Sequence, residues 1–240
     1  MIRKKIFGAL RTEQFRHRSN EIKRIEALSD AVFAFSVSLL VASLEVPQTF
    51  EELQVILKGA VPFFATVSLI FLFWYQQYVF FRHYALNDFT TILLNLAYLA
   101  VILFYVYPLK FLFSILLSSW TGMNLFPKAT EKGLPVLLPE DFPQLVILFS
   151  AGYVLIWILL YFMHKRALHA TKDPVLNHYE IEYTRKEKRG ALWNALIGLL
   201  SILLAMMGVE WLGGVCYLLI PLLLLINNNI FRRRVKKLKL

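Results

Sequence analysis

A single cysteine, Cys216, among 240 residues excludes an intrachain disulfide framework. Charge is scarce as well: Asp, Glu, Lys and Arg make up 18% of the chain against 58% apolar residues, which excludes an ordinary soluble domain. No phosphate-cradling glycine loop, nucleophile motif or carboxylate pair is present, so no enzyme is expected. The five histidines, His17, His83, His164, His169 and His178, lack metal-ligand spacing, so neither a metal nor a cofactor is expected. The basic start of the chain has no small-x-small site before the first apolar run, and no cleaved signal peptide is expected.

What the sequence does contain is long uncharged runs. Several approach or exceed the roughly 18 to 20 residues needed to cross a hydrocarbon core of about 30 Å. The reading is an all-α integral membrane protein with six transmembrane helices, over about 27–46, 55–81, 90–117, 144–163, 191–209 and 211–231. Residues 1–25 form a basic N-terminal segment, 26–231 the six-helix domain and 232–240 a basic tail. Pro62 falls in the first turns of the second span. Residues 118–143, rich in Gly and Pro, are expected to form an irregular loop.

The formal charge of +10 sits mostly in the N-terminal segment, the loop after span four and the tail; Asp173, Glu180, Glu182 and Glu187 in that loop mark part of it as a solvated helix extending span four or five. Only Lys58, Lys110, Lys128 and Lys132 lie within the spans or on the other side. Six spans with both termini cytoplasmic satisfy the positive-inside rule in the cell membrane, with anionic lipid as the basic partner and no nucleic acid.

The first span carries the most unusual pattern. Arg24, Glu26, Ser29 and Asp30 open it, and no charge follows until Glu45. A charge this close to a bilayer is expensive unless paired, solvated or used. Arg24 and Asp30 are six positions apart, so they lie on different helix faces; Arg24, Asn95, Trp74 and His83 are the candidate partners for Asp30. Phe35, Leu39 and Ala42 share one stripe, with Ser38 beside it, and Ser29, Ser36 and Ser43 recur on a neighbouring one. Spacing alone leaves two readings open, close helix packing and a pore-facing surface. A titrating Asp30 in a proton-coupled transporter is a further alternative, and a non-conducting membrane scaffold is another.

The stretch Arg24-x-x-x-Leu28-Ser29-Asp30-Ala31-Val32-x-Ala34-Phe35-x-x-Ser38-Leu39-Leu40 resembles the Arg-x-x-x-Phe-Ser-Asp-x-Val-x-Ala-Ile-x-x-Thr-Leu-Leu signature of the transmembrane protein 175 family of potassium channels. Trp74, Asn95 and Pro108 resemble that family's second- and third-helix Trp, Asn and Pro. The resemblance implies a homotetramer of six-helix units whose first helices line a central pore without a glycine-rich filter. It implies apolar rings at Phe35, Leu39 and Ala42, a hydroxyl at Ser38 that tunes ion hydration, and a polar network of Arg24, Ser29, Asp30, Trp74 and Asn95. Potassium is the implied permeant ion, and Glu45, Glu51 and Glu52 would form an acidic outer vestibule.

This chain departs from the pattern at Leu28, Phe35, Ser38 and Gln77, where Phe, Ile, Thr and His are expected; Ala42 is also smaller than expected. The lost His is expected to weaken the polar network, with His83 as its substitute. Ser38 keeps the hydroxyl but loses the methyl that limits rotation. Gly213-Gly-Val-Cys-Tyr217 has no preceding pore helix and no second Gly after Tyr217, and it is not a carbonyl filter.

Overall fold

The computed structural model describes residues 15–18, 21–42, 46–126, 129–130, 132–133, 135–170 and 175–238. Among the described residues the α-helices follow in the order α1 (Arg24–Ala42), α2 (Phe50–Lys58), α3 (Ala60–Tyr84), α4 (Phe89–Thr121), α5 (Phe142–Ala170), α6 (His178–Met206), α7 (Glu210–Val215) and α8 (Ile220–Leu238). Among the described residues six segments are long and apolar enough to cross a bilayer: Arg24–Ala42, Ala60–Tyr84, Phe89–Thr121, Pro139–Ala170, His178–Met206 and Glu210–Lys237. The six-span architecture therefore stands, with corrections at the start of the second span and within the last.

Residues 55–58, read as the start of the second span, belong to the separate helix α2, which Thr49 caps and Gly59 ends. The second span begins at Ala60, so Pro62 lies in the first turn, where a missing N–H costs no intrahelical bond. The basic loop after the fourth span is mostly helical, because α5 runs on to Ala170 and α6 already starts at His178. Asn177 and Glu180 supply the start signal for α6 as a reciprocal capping box. The last span is interrupted by a 3₁₀ turn at Cys216–Leu219 between α7 and α8.

The turn into α4 is set by Asp88. Its carboxylate accepts from the Thr91 hydroxyl at 2.6 Å and from the Thr91 backbone N–H at 3.4 Å, and Arg166 of α5 pairs with it at 3.0 Å. Burial alone would raise the Asp88 carboxyl, but the bonds from Thr91 and Arg166 outweigh it and hold its pKa below the ordinary 3.8.

Helices α5 and α6 form the most extensive pair in the molecule. Small residues permit the approach. A Cβ on Gly198 would sit 2.5 Å from Val154 Cγ2 across this pair, and one on Gly152, where α5 meets α4, would sit 2.3 Å from the Tyr105 ring. Polar side chains stitch the same seam: Ser150 to Ser201 at 2.8 Å, Tyr153 to Asn194 at 2.6 Å and Tyr217 to Ser150 at 2.9 Å. Helix α1 stands at the other end of the fold, packed on α4 and α3.

Because the Tyr105 hydroxyl is anchored on the Phe149 carbonyl at 2.7 Å, its ring cannot simply swing aside. Gly152→Ala is expected to destabilise the detergent-solubilised protein by about 1–3 kcal/mol, the usual range for overpacking. An unchanged thermal midpoint would show that the ring yields freely. For Asp88, a depressed folded-state pKa means stabilisation that is present above the ordinary carboxylate value and disappears as pH falls through the folded one. The difference in midpoint between wild type and Asp88→Asn should accordingly be full at neutral pH and shrink in acid; a pH-independent difference would contradict the Arg166 pairing.

Candidate functional site

Helix α1 has two dissimilar faces. Ile25, Ser29, Phe33, Ser36 and Leu40, spaced by threes and fours, are buried against the rest of the chain. On the opposite side, Leu28, Ala31, Phe35, Ser38 and Ala42 form an uncovered stripe at the same kind of spacing, with Phe35 56% exposed in the single subunit. Leu39 lies at the margin of this stripe and is half-buried.

The buried face is held by polar side chains from three helices. Asn95 of α4, fully buried, donates from Nδ2 to Ser29 Oγ at 3.0 Å and accepts at Oδ1 from Gln77 Nε2 of α3 at 2.7 Å. Ser29 in turn donates to the Ile25 carbonyl at 2.7 Å. Beside this chain, Trp74 of α3 donates its indole N–H to Asp30 Oδ1 at 2.8 Å. Trp74 is thus the partner of Asp30, rather than Arg24, Asn95 or His83. Apolar contacts complete the seam: Phe33 packs on the Tyr98 ring, whose hydroxyl donates to the Phe73 carbonyl at 2.9 Å.

Of the five residues expected to form a network, Ser29, Asp30, Trp74 and Asn95 come together, whereas Arg24 is exposed at the first position of α1 and adds no bond to them. Gln77, standing where the family pattern has His, does not weaken the network: it is 2% exposed and completes the Asn95 pair. The signal was available in principle. Residue 77 lies one turn from Trp74 on the same face of α3, and an amide supplies the N–H donor that an imidazole would. His83 is no substitute, because it sits at the far end of α3, stacked on Phe15 at 4.1 Å.

The remaining candidates are dispersed. Ser38 donates to the Ala34 carbonyl at 3.0 Å from the uncovered side of α1, and Ser36 bonds Val32 on the packed side. Glu51 and Glu52 occupy the exposed first turn of α2, where Glu52 accepts from the Gln48 N–H at 2.6 Å. Glu45 and Ser43 lie outside the described residues. A cleft of about 610 Å³ opens between α3, α4, α5, α6 and α8, and no residue of α1 lines it. Among the described residues no group of three or more His, Cys, Asp or Glu side chains could hold a metal.

Comparison with known proteins gives this architecture its context. Residues 24–105 match the family model described as the endosomal/lysosomal potassium channel TMEM175. A protein of Marivirga tractuosa named "Potassium channel" is 32% identical over 231 residues, covering 93% of each chain. The crystal structure of a variant of the potassium channel MtTMEM175, complexed with a nanobody fusion, superposes with a TM-score of 0.80 at 32% identity, over 92% of this chain and 97% of that one. A lysosomal potassium-selective channel TMEM175 homologue from Chamaesiphon minutus shares the fold at 21% identity, with a TM-score of 0.56 over 85% and 97% of the two chains.

Six apolar helices and these relatives define a multi-pass membrane protein of the potassium-channel class, not an enzyme. Within that class the chain belongs to the TMEM175 family.

The polar pairing is testable apart from any transport assay. Asn95→Leu leaves the buried Gln77 amide without its acceptor and should cost about 1–3 kcal/mol of stability. Adding Gln77→Leu removes the orphaned partner, so the double variant should recover part of that loss; strictly additive losses would show that the two amides do not interact.

Proposed function

We propose that the chain forms a homotetrameric channel for potassium, or for monovalent cations with potassium preferred, through a pore lined by α1. The observation that carries this reading is the uncovered stripe of α1, opposite a face held in place by Ser29, Asp30, Trp74, Asn95 and Gln77. Four copies of that stripe around an axis bring together rings of Phe35 and Ala42, flanked by Leu39, with Ser38 between them. Similarity over nearly the whole chain to proteins named as potassium channels supports the reading.

The physics of such a passage is dehydration rather than tight coordination. A narrow apolar ring tends to dewet, and an ion crosses only where it keeps part of its water or where the ring widens. Potassium sheds water more readily than sodium, so a greasy constriction with nearby hydroxyls favours it. Glu51 and Glu52, with Glu45 before them, would draw cations to the outer mouth. Both termini lie on the cytoplasmic side of the cell membrane, where Arg232, Arg233, Arg234, Lys236 and Lys237 meet anionic lipid. Arg24 stands at the cytoplasmic entrance of the pore helix and bears on that end of the passage rather than on the bracing of α1.

Purified protein in a planar bilayer should give unitary currents with a reversal potential favouring potassium over sodium. Proton-coupled transport at Asp30 gives no unitary currents, and a scaffold gives no flux at all. Phe35→Ala should raise conductance and lower the potassium preference. If both stay at wild-type values, Phe35 does not form the constriction.

A further inference from the structure

Upstream of α1, residues 15–18 are threaded between the C-terminal end of α3 and the N-terminal end of α6. Their anchor is Glu180, whose side chain is fully buried. Its carboxylate accepts from Arg16 three times, from the backbone N–H at 3.1 Å, Nε at 2.8 Å and Nη2 at 2.7 Å. It also accepts from Arg18 Nη2 at 2.7 Å and from the Asn177 N–H at 2.9 Å. The capping box explains only the last of these bonds. A helix-capping glutamate is normally a surface group, whereas this one binds two arginines more than 160 positions away in the chain.

Two guanidinium groups on one carboxylate leave a positive charge, and the end of α3 meets it. Arg18 donates from Nη1 to the His83 carbonyl at 3.0 Å, and its backbone N–H donates to the Arg82 carbonyl at 3.0 Å. These are terminal carbonyls of a helix, where the macrodipole favours a cation. Lys23, just before α1, donates to the Ala85 carbonyl at the same end of α3. Phe15 seals the site, stacked on His83 and edge-on to Tyr84 and Tyr183, with the Arg18 guanidinium over its ring. The Tyr84 hydroxyl bonds Thr184 at 2.7 Å, so α3 and α6 are themselves tied at this level.

We propose that Glu180 is a positioning residue for the pore helix. By clamping Arg16 and Arg18 it pins the segment leading into α1 to the joined ends of α3 and α6, and so sets the balance between open and closed positions of α1. The inference rests on α1 lining the pore. It assigns Glu180 no contact with the permeating ion.

The test is single-channel recording of Glu180→Gln, Glu180→Asp and Arg16→Ala, together with a spin label at Ile22→Cys, just before α1, in a Cys216→Ser background. Glu180→Gln should shift the open-to-closed ratio about tenfold, the factor equivalent to about 1.4 kcal/mol, with unitary conductance and potassium preference unchanged. Glu180→Asp, which keeps the charge, should fall between it and wild type. Label mobility should rise in Glu180→Gln. Arg16 is partly exposed, so Arg16→Ala keeps the question answerable if Glu180→Gln fails to fold, and it should shift the ratio in the same direction. An unchanged ratio and unchanged mobility in a folded variant overturn the proposal, as does a changed unitary conductance, which would put Glu180 on the ion path. If wild type carries no current but mobility still rises in Glu180→Gln, the pin stands and the channel reading fails; without the rise, both fail.

Discussion

A hydrogen-bond requirement determines which way α1 faces. Phe33 and Phe35 are equally apolar, and burying either is worth roughly 1.5–3 kcal/mol, so hydrophobicity cannot choose between the rotation that buries one and the rotation that buries the other. Ser29 and Asp30 break the tie. Their partners Asn95 and Trp74 sit on α4 and α3, and Gln77 holds Asn95 in turn. Turning α1 to bury Phe35 would leave the buried Asn95 Nδ2 without its Ser29 acceptor, at about 1–3 kcal/mol, and would take Asp30 away from the Trp74 indole. Polar pairing therefore buries Phe33 and leaves Phe35 on the open side.

The two ends of the fold are built by different rules. Helices α5 and α6 close on each other through Gly198 and a ladder of small polar residues, so their seam leaves little room for sliding. Helix α1 has no such seam. It touches α3 and α4 along one face and is secured at a few polar points. The bundle thus joins a tightly knit α5–α6 pair to a helix, α1, that packs through one face and keeps the other uncovered. Residues 15–18 bridge the two, since Glu180 belongs to the α5–α6 body and Arg18 and Lys23 reach the end of α3 nearest the root of α1.

Much of this was legible in order along the chain. Spans are a matter of length and apolarity, and those signals are local, so the six-span reading stood. The errors fell where local signals were weak or misleading. After the fourth span the mixed charges mark helix extending span four or five, but not how much of the segment is helical: Glu182 and Arg185 are spaced as helical neighbours and sit in α6 as an ion pair. The α2–α3 break falls at Gly59, with Pro62 lacking the N–H that would bond the Lys58 carbonyl across it. Asp30's partner could be narrowed to four candidates but not chosen, because only the three-dimensional arrangement of α1 and α3 shows that Trp74 faces it. The Glu180 clamp was invisible for a related reason: nothing near residue 16 in the chain announces a carboxylate 164 positions away.

Ser38 shows how a departure from the family pattern can be absorbed physically. A threonine there would be confined by its second branch to few rotamers, a restriction serine lacks. Here the hydroxyl proton is committed to the Ala34 carbonyl one turn back, which holds the side chain in one orientation by a bond instead of by a methyl group. Since the bond uses the proton, the oxygen lone pairs stay available toward the uncovered side of α1. In the pore reading those lone pairs are what a partly dehydrated cation needs, and they are presented without giving up a backbone hydrogen bond.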